Sequence, residues 1–349
     1  MKSLVVFIFF LLITIIHLSP ISAQVVSVQK ISLTVNQLER SIPFYTKVLG
    51  FHIISQATMD AGKTTSLYGL QGDSTTSRYA LLQLGDEQIE LIQFEHTAEA
   101  RQIPPDSKSN DLWFQHIAIV VADMDKAFEI LEEHHVGFIS TAPQTLPMSL
   151  PNAAGISAFY FQDPDYHALE LIHFPGDKGK AKWHDLSSTY MKNKNASPFL
   201  GIDHTAIAVD QTEESYGFWQ NTLGFKIGGH SLNSGTEQEH LNQVFGARVY
   251  ITGMVAKEGV GVEFLDYIAP PGGRPAPEHS NATDLWHWHT TLLVDDIDEI
   301  LSSIKDPKVR VSSSLTMLDK DNLGFMIHDP DGHNVLLIEK NQKPPTATN

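Results

Sequence analysis

The chain has 349 residues and no cysteine, so nothing in it depends on disulfides and any metal site must be built from His, Asp or Glu. With 24 Lys and Arg against 41 Asp and Glu, the formal charge is −17. Such a surface repels phosphate backbones and excludes nucleic acid as an expected partner.

The first element in the chain reads as a leader. Lys2 precedes an apolar run, Leu4–Ile16, and Ser22-Ala23 offers small residues before Gln24. That is the layout of a secretory signal peptide, and the run is short of the about 20 apolar residues that span a bilayer. Cleavage after Ala23 is expected to release a secreted or periplasmic protein with no stable membrane insertion. Residues 1–23 include Lys2 and no acid, so the rest carries 23 basic against 41 acidic residues, or −18. About 325 residues remain, enough for two ordinary domains.

Four similar units follow. The first, Val28–Phe94, opens on a strand pattern at Lys30–Val35, with Asn36 as a candidate cap for a helical stretch near Leu38–Leu49 that stops at Gly50. Phe51–Gln56, Tyr79–Leu84 and Gln88–Phe94 read as further strands. The second unit, Trp113–Phe174, has a strand at His116–Val121, a helix at Met124–His134, and strands at Ala158–Gln162 and Ala168–His173 around the turn Asp163-Pro164-Asp165. The third, Ile202–Tyr267, copies the first. The fourth, Trp286–Glu339, copies the second, including Asp329-Pro330-Asp331-Gly332.

The duplication is visible at the level of single residues. Asp111–Val121 (DLWFQHIAIVV) returns as Asp284–Val294 (DLWHWHTTLLV), and Leu49-Gly50-Phe51 returns as Leu223-Gly224-Phe225. Arg101 and Arg274 each stand 15 residues before His116 and His289, and Glu90 and Glu263 each stand 26 before them. A repeat at an offset of 173–174 residues divides the chain into residues 1–23 (leader), 26–174, a linker at 175–199, 200–340, and a polar tail at 341–349.

Each unit is one sheet with one helix on one face, so its other face must be covered by another unit. The alternation of side chains along a strand shows what that face carries. His116 shares its face with Ala118 and Val120, His204 with Ala206 and Ala208, and Lys30 with Ser32 and Thr34. Ile117, Ile119 and Val121 point the other way, as do Ile207 and Val209, and Ile31, Leu33 and Val35. The bulky face suits a helix. The small or polar face suits a cavity, and the histidines lie on it.

Four strand–helix–strand modules with a His in the first strand and a Glu in the last resemble the vicinal oxygen chelate superfamily, over essentially all of Val28–Glu339. The superfamily includes glyoxalase I, extradiol dioxygenases, methylmalonyl-CoA epimerase and bleomycin resistance proteins. The resemblance implies an α+β fold of four βαβββ modules that pair into two half-open barrels. It also implies a divalent metal held by up to two ligands from each module. The first-strand positions are then Lys30, His116, His204 and His289, and the last-strand positions Glu90, Glu170, Glu263 and Leu336.

Two pairings are open. Neighbouring modules would give one barrel with Glu90, His116 and Glu170 and another with His204, Glu263 and His289. The tandem glyoxalase arrangement, module two with three and one with four, would unite His116, Glu170, His204 and Glu263 and leave Glu90 and His289 facing Lys30 and Leu336. Losses confined to one barrel favour the second pairing. Two imidazoles and two carboxylates leave two octahedral positions for neighbouring substrate oxygens, with the metal as Lewis acid and Glu170 or Glu263 as catalytic base. The donor set suits Zn²⁺, Ni²⁺, Mn²⁺ or Fe²⁺.

The expected function is therefore an exported, metal-dependent enzyme of isomerase or lyase type, acting on a small substrate with vicinal oxygens. One alternative is an iron-dependent ring-cleaving dioxygenase using His204, His289 and Glu263. Another is a small-molecule binding or resistance protein without turnover. Arg101 and Arg274 read as arm-to-barrel salt bridges before anion clamps, Trp113 and Trp286 as anchors for those arms, and His167 and His333 as structural. His287 shares the strand face of His289, and Lys30 is the odd residue: its ammonium replaces a lost metal charge, or that barrel's mouth is wet.

Overall fold

In a computed structural model of the chain, residues 25–71, 75–95, 100–271 and 273–340 are described. The expected leader and the tail at 341–349 lie outside them. Among the described residues no helix is long and apolar enough to cross a membrane.

The modules pair as two with three and one with four. Gln115–Val121 runs antiparallel to Phe199–Val209, placing Ala206 opposite His116 and Ala118 opposite His204. Val25–Thr34 runs antiparallel to Trp288–Val294, placing Ser32 opposite His289 and Thr291 opposite Lys30. Each opening strand then binds its own module's closing strand in parallel: 168–173, 261–269, 87–94 and 334–340. The result is two curled mixed sheets. Each draws one module from each half of the repeat, so the two modules of one half do not share a barrel.

The face assignment follows the alternation. Ile117, Ile119, Val121, Ile207, Val209, Ile31, Leu33 and Val35 belong to one apolar core that takes residues from all four modules. Ala118 and Ala206 sit on the other face, fully buried. The first helix differs from expectation: an α-helix, Leu38–Pro43, widens into a π turn, Phe44–Val48, before Gly50 turns the chain at φ +76°. Its cap is not Asn36. Gln37 holds that position without a side-chain bond, and the Asn36 N–H donates to Asp165 Oδ2 at 3.1 Å instead.

Three helices have no apolar 3.6-residue stripe strong enough to announce them. Ala61–Tyr68 is held by its ends: Asp60 accepts from the Lys63 N–H, and Gly69 stops it in the left-handed region. Thr236–Asn242 is its counterpart in module three, and Ala181–Lys192 folds inside the joining segment, burying Trp183.

The repeated Asp-Leu-Trp is a clasp that crosses between the halves. Asp111 accepts from Arg274 Nε at 3.0 Å and Nη2 at 2.7 Å, while the guanidinium lies 4.9 Å from the Trp113 ring centre. Reciprocally, Asp284 accepts from Arg101 Nε at 2.8 Å and Nη2 at 2.6 Å, with Trp286 4.7 Å away. The arginines are therefore structural ties. Asp111 is 2% exposed, so removing its partner leaves a carboxylate nearly dry. Arg274→Ala should lower the unfolding free energy by about 2 kcal/mol in urea titration, and Arg274→Lys should recover little of it because the bidentate fork is lost. An unchanged midpoint for Arg274→Ala would refute this role.

His167 and His333 serve the turns in which they sit. His167 Nδ1 contacts Asp163 Oδ2 at 2.9 Å and its Nε2 meets Leu285 O at 2.6 Å; His333 Nε2 meets Ala208 O at 2.7 Å. Tyr45 OH and Trp219 Nε1 donate to Asp163 and Asp329, tying the turns of modules two and four to the helices of modules one and three.

Candidate metal centre and its cavity

The barrel formed by modules two and three brings His116, Glu170, His204 and Glu263 to one place. His116 and His204 come from the paired opening strands, and Glu170 and Glu263 from the closing strands beside them, two residues along and so on the same face. His116 Nε2 lies 3.1 Å from Glu170 Oε2, and His204 Nε2 lies 3.6 Å from the same oxygen. Glu263 Oε2 is 3.3 Å from His204 Nε2. The donor atoms of His116, Glu170 and His204 all fall within 4.8 Å of one another.

The geometry fits a divalent ion. Ligand atoms about 2.1 Å from one ion at right angles stand about 3 Å apart, which is the spacing seen. His116 is 1% exposed, and despite the close carboxylate neither of its ring nitrogens makes a hydrogen bond. A buried imidazole with both nitrogens unpaired costs free energy that a metal bond to Nε2 would offset. His204 shows the complementary feature: its Nδ1 contacts Asp203 Oδ2 at 3.2 Å, directing Nε2 at the centre. Trp183 Nε1 in turn donates to Asp203 Oδ1 at 2.7 Å, so the helix in the joining segment supports the site.

The four groups differ electrically. Burial pushes the Glu170 carboxyl up, but the two imidazoles at its oxygen outweigh this and hold it at about 2. Burial also raises Glu263, and the attraction of His204 does not fully offset it. Burial pulls His204 down, yet the charge of Glu263 and the contacts with Asp203 and Glu170 carry it well above the usual imidazole range. Glu170 is thus the fixed anion of the set, and Glu263 the carboxylate that accepts a proton more readily.

A cavity of about 620 Å³ opens over these groups, with Gly228, Gly229 and Gly253 on its far strands. Away from the floor its polar lining holds Asn152, His230, Asn233 and Gln238, with Lys178 and Lys180 paired to Asp177 and Asp203. Gln238 is 3% exposed and its Oε1 has no hydrogen-bond partner. Neither Gln238 nor Asp203 was legible as a site residue. Gln238 lies on the helix that the apolar pattern does not announce, and Asp203 is marked only by adjacency to His204.

The other barrel differs at matched positions. Lys30 stands where His204 stands, Leu336 where Glu170 stands, Glu90 where Glu263 stands and His289 where His116 stands. His289 therefore lies in a different sheet from His204 and Glu263. The neighbour pairing, and the triad His204, His289 and Glu263 required for ring cleavage, are both overturned by the strand order. His287 is buried beside His289, 5.7 Å away between ring centres.

Two half-barrels of paired βαβββ modules, one with a His/Glu centre on its cavity floor, define a class of metal-site scaffolds rather than a single activity. The chain belongs to the Glyoxalase/Bleomycin resistance protein/Dioxygenase superfamily, whose sequence profile matches residues 27–171 and 201–337. A 2-epi-5-epi-valiolone epimerase from Actinomyces sp is 32% identical over 152 residues, covering 43% of this chain and 80% of that protein. In fold the chain is similar to glyoxalase I from Zea mays, with a TM-score of 0.59, 15% identity, and 91% and 92% of the two chains covered. A putative dioxygenase from Bacillus subtilis aligns with a TM-score of 0.53 and 11% identity, covering 91% and 86%.

Proposed function

We propose that the protein is an exported, divalent-metal-dependent enzyme of isomerase or lyase type. It would move a proton at a carbon next to a carbonyl in a small, uncharged, hydroxyl-bearing substrate. The observation that carries this reading is the convergence of His116, Glu170, His204 and Glu263 beneath a cavity, with the buried His116 imidazole unpaired. When bound, a divalent ion supplies Lewis-acid stabilisation of negative charge on substrate oxygens.

The protein's own groups divide the rest. Glu170 stays ionised between the imidazoles, and Asp203 orients His204. Glu263 Oε2 takes the proton from carbon and returns it, with its carboxyl already raised toward the proton-accepting range. The uncharged amides Asn152, Asn233 and Gln238 suit hydroxyl groups better than an anionic substrate. The epimerase relative supports the same direction, since inversion at carbon begins with removal of a proton from that carbon.

The test is isotope exchange. The metal-loaded protein is incubated in D₂O with 2-epi-5-epi-valiolone, and deuterium at the carbon beside the carbonyl is followed by mass spectrometry and NMR. Metal-dependent incorporation is expected. Tight binding without incorporation would instead make the protein a sequestering one, and neither binding nor exchange would overturn the substrate class.

A further inference from the structure

We infer that the barrel of modules one and four is a second, metal-independent binding pocket, taking a small uncharged molecule with two neighbouring oxygens, such as a hydroxy ketone or diol. The starting point is what Lys30 does. Its Nζ lies 2.5 Å from Glu90 Oε1, and Glu90 Oε2 accepts from Ser32 Oγ at 3.3 Å. The ammonium thus stands among the groups that would otherwise surround a cation and already satisfies the one carboxylate there. Leu336 removes the second carboxylate, and His289 is fully buried behind Tyr68, whose ring centre lies 6.0 Å away. This floor repels a metal ion and is neutral without one.

The cavity has nevertheless been kept. Its volume is about 620 Å³, the same as that of the His/Glu barrel, and Lys30, Glu90 and Thr291 lie on its floor. The two alanines at the centre of the other barrel, Ala118 and Ala206, are Thr291 and Ser32 here. Thr291 is fully buried, and its Oγ1 has no hydrogen-bond partner. A buried hydroxyl on a cavity floor without a partner is a recognition group in want of an oxygen.

The chemistry of the lining selects the ligand. The ammonium has two N–H groups beyond the one directed at Glu90, and Thr291 adds a third donor beside it. A carbonyl or hydroxyl oxygen there would accept from both, while an adjacent hydroxyl donates to Glu90. Because Lys30 and Glu90 neutralise one another, neither an anion nor a cation is favoured at the floor. Leu81, Leu293, Leu336 and Ile338 supply an apolar part of the lining, and Asp60, Lys63, Asp319 and Asn322 a polar part. Such a ligand has an oxygenated end and a hydrocarbon body.

The proposal does not depend on the activity assigned to the other barrel, and its test is run with that site disabled. The full chain, labelled at Leu and Ile methyls and stripped of metal by chelator, is titrated with 2-hydroxycyclohexanone and followed by NMR. Saturable shifts at Leu293, Leu336 and Ile338 are expected, unchanged when metal is restored. The near-isosteric Thr291→Val and the charge-removing Lys30→Met should each weaken binding about tenfold. Thr291→Val disturbs no existing hydrogen bond, so it keeps the test valid if Lys30→Met folds poorly. Shifts confined to Leu146, Ile172 and Leu265 of the other cavity, no saturable shift, or unaltered binding in Thr291→Val would each overturn the inference.

Discussion

Replacing His116 or His204 by Ala should strip the protein of divalent metal, while His289→Ala should leave metal content unchanged. The expectation follows from strand order rather than from sequence similarity. His116 and His204 face one another across Gln115–Val121 and Phe199–Val209 and share Glu170 Oε2, whereas His289 lies in the other sheet beside Lys30. Losing the outer partner of a metal-bound His costs about 10–100-fold in affinity, which is the effect expected for Asp203→Ala, and losing the ligand itself should cost more. Elemental analysis after gel filtration reads this directly. The folds should survive, because Glu170 keeps one of its two imidazole neighbours in either variant. Metal loss in His289→Ala with retention in His116→Ala would sink the assignment.

The second large effect is expected from the two carboxylates, which should fail in different ways. Glu263→Gln should keep metal and lower the isotope-exchange rate by about 10²–10⁴-fold, the usual span for removal of a positioned proton acceptor. Glu170→Gln should instead lose the metal. Glu170 is 5% exposed and touches both imidazoles, and its charge is the one they stabilise. Glu263 has a side chain 29% exposed toward the cavity and contacts only His204 of the pair, so it reaches substrate more freely. An amide there still offers an oxygen to the ion but accepts no proton from carbon. Equal metal loss in both variants would show that the carboxylates share one role.

The two barrels contrast at positions where the repeat suggests equality. A reader of the repeat alone would expect equal sites at DLWFQH and DLWHWH. The paired aspartates and tryptophans do behave as equals, each clasping the arginine of the opposite half. The histidines do not. His116 meets Glu170 and His204, while His289 meets Tyr68 and His287, and burial, then His287 and Lys30, hold its imidazole well below the usual range. Duplication preserved the frame, and side chains that differ at four floor positions separated the chemistry.

The main strands, the first helix of each module, the face on which each histidine stands and the kinds of ligand available were readable from the sequence, because alternation along a strand is a local property of the backbone. The uneven loss of ligands at Lys30 and Leu336 even indicated which modules pair. What lay beyond reach were relations between residues far apart in sequence. The helices Ala61–Tyr68, Thr236–Asn242 and Ala181–Lys192 are stabilised by caps and packing that no apolar period marks. Asp203 gains its role from Trp183 and His204 together, and Gln238 from the cavity into which its helix is folded. The chain carries its ligands in its alphabet. Which of them meet was decided by antiparallel pairing of strands some 90 and 260 residues apart, since only that closure brings two half-sheets around a common cavity.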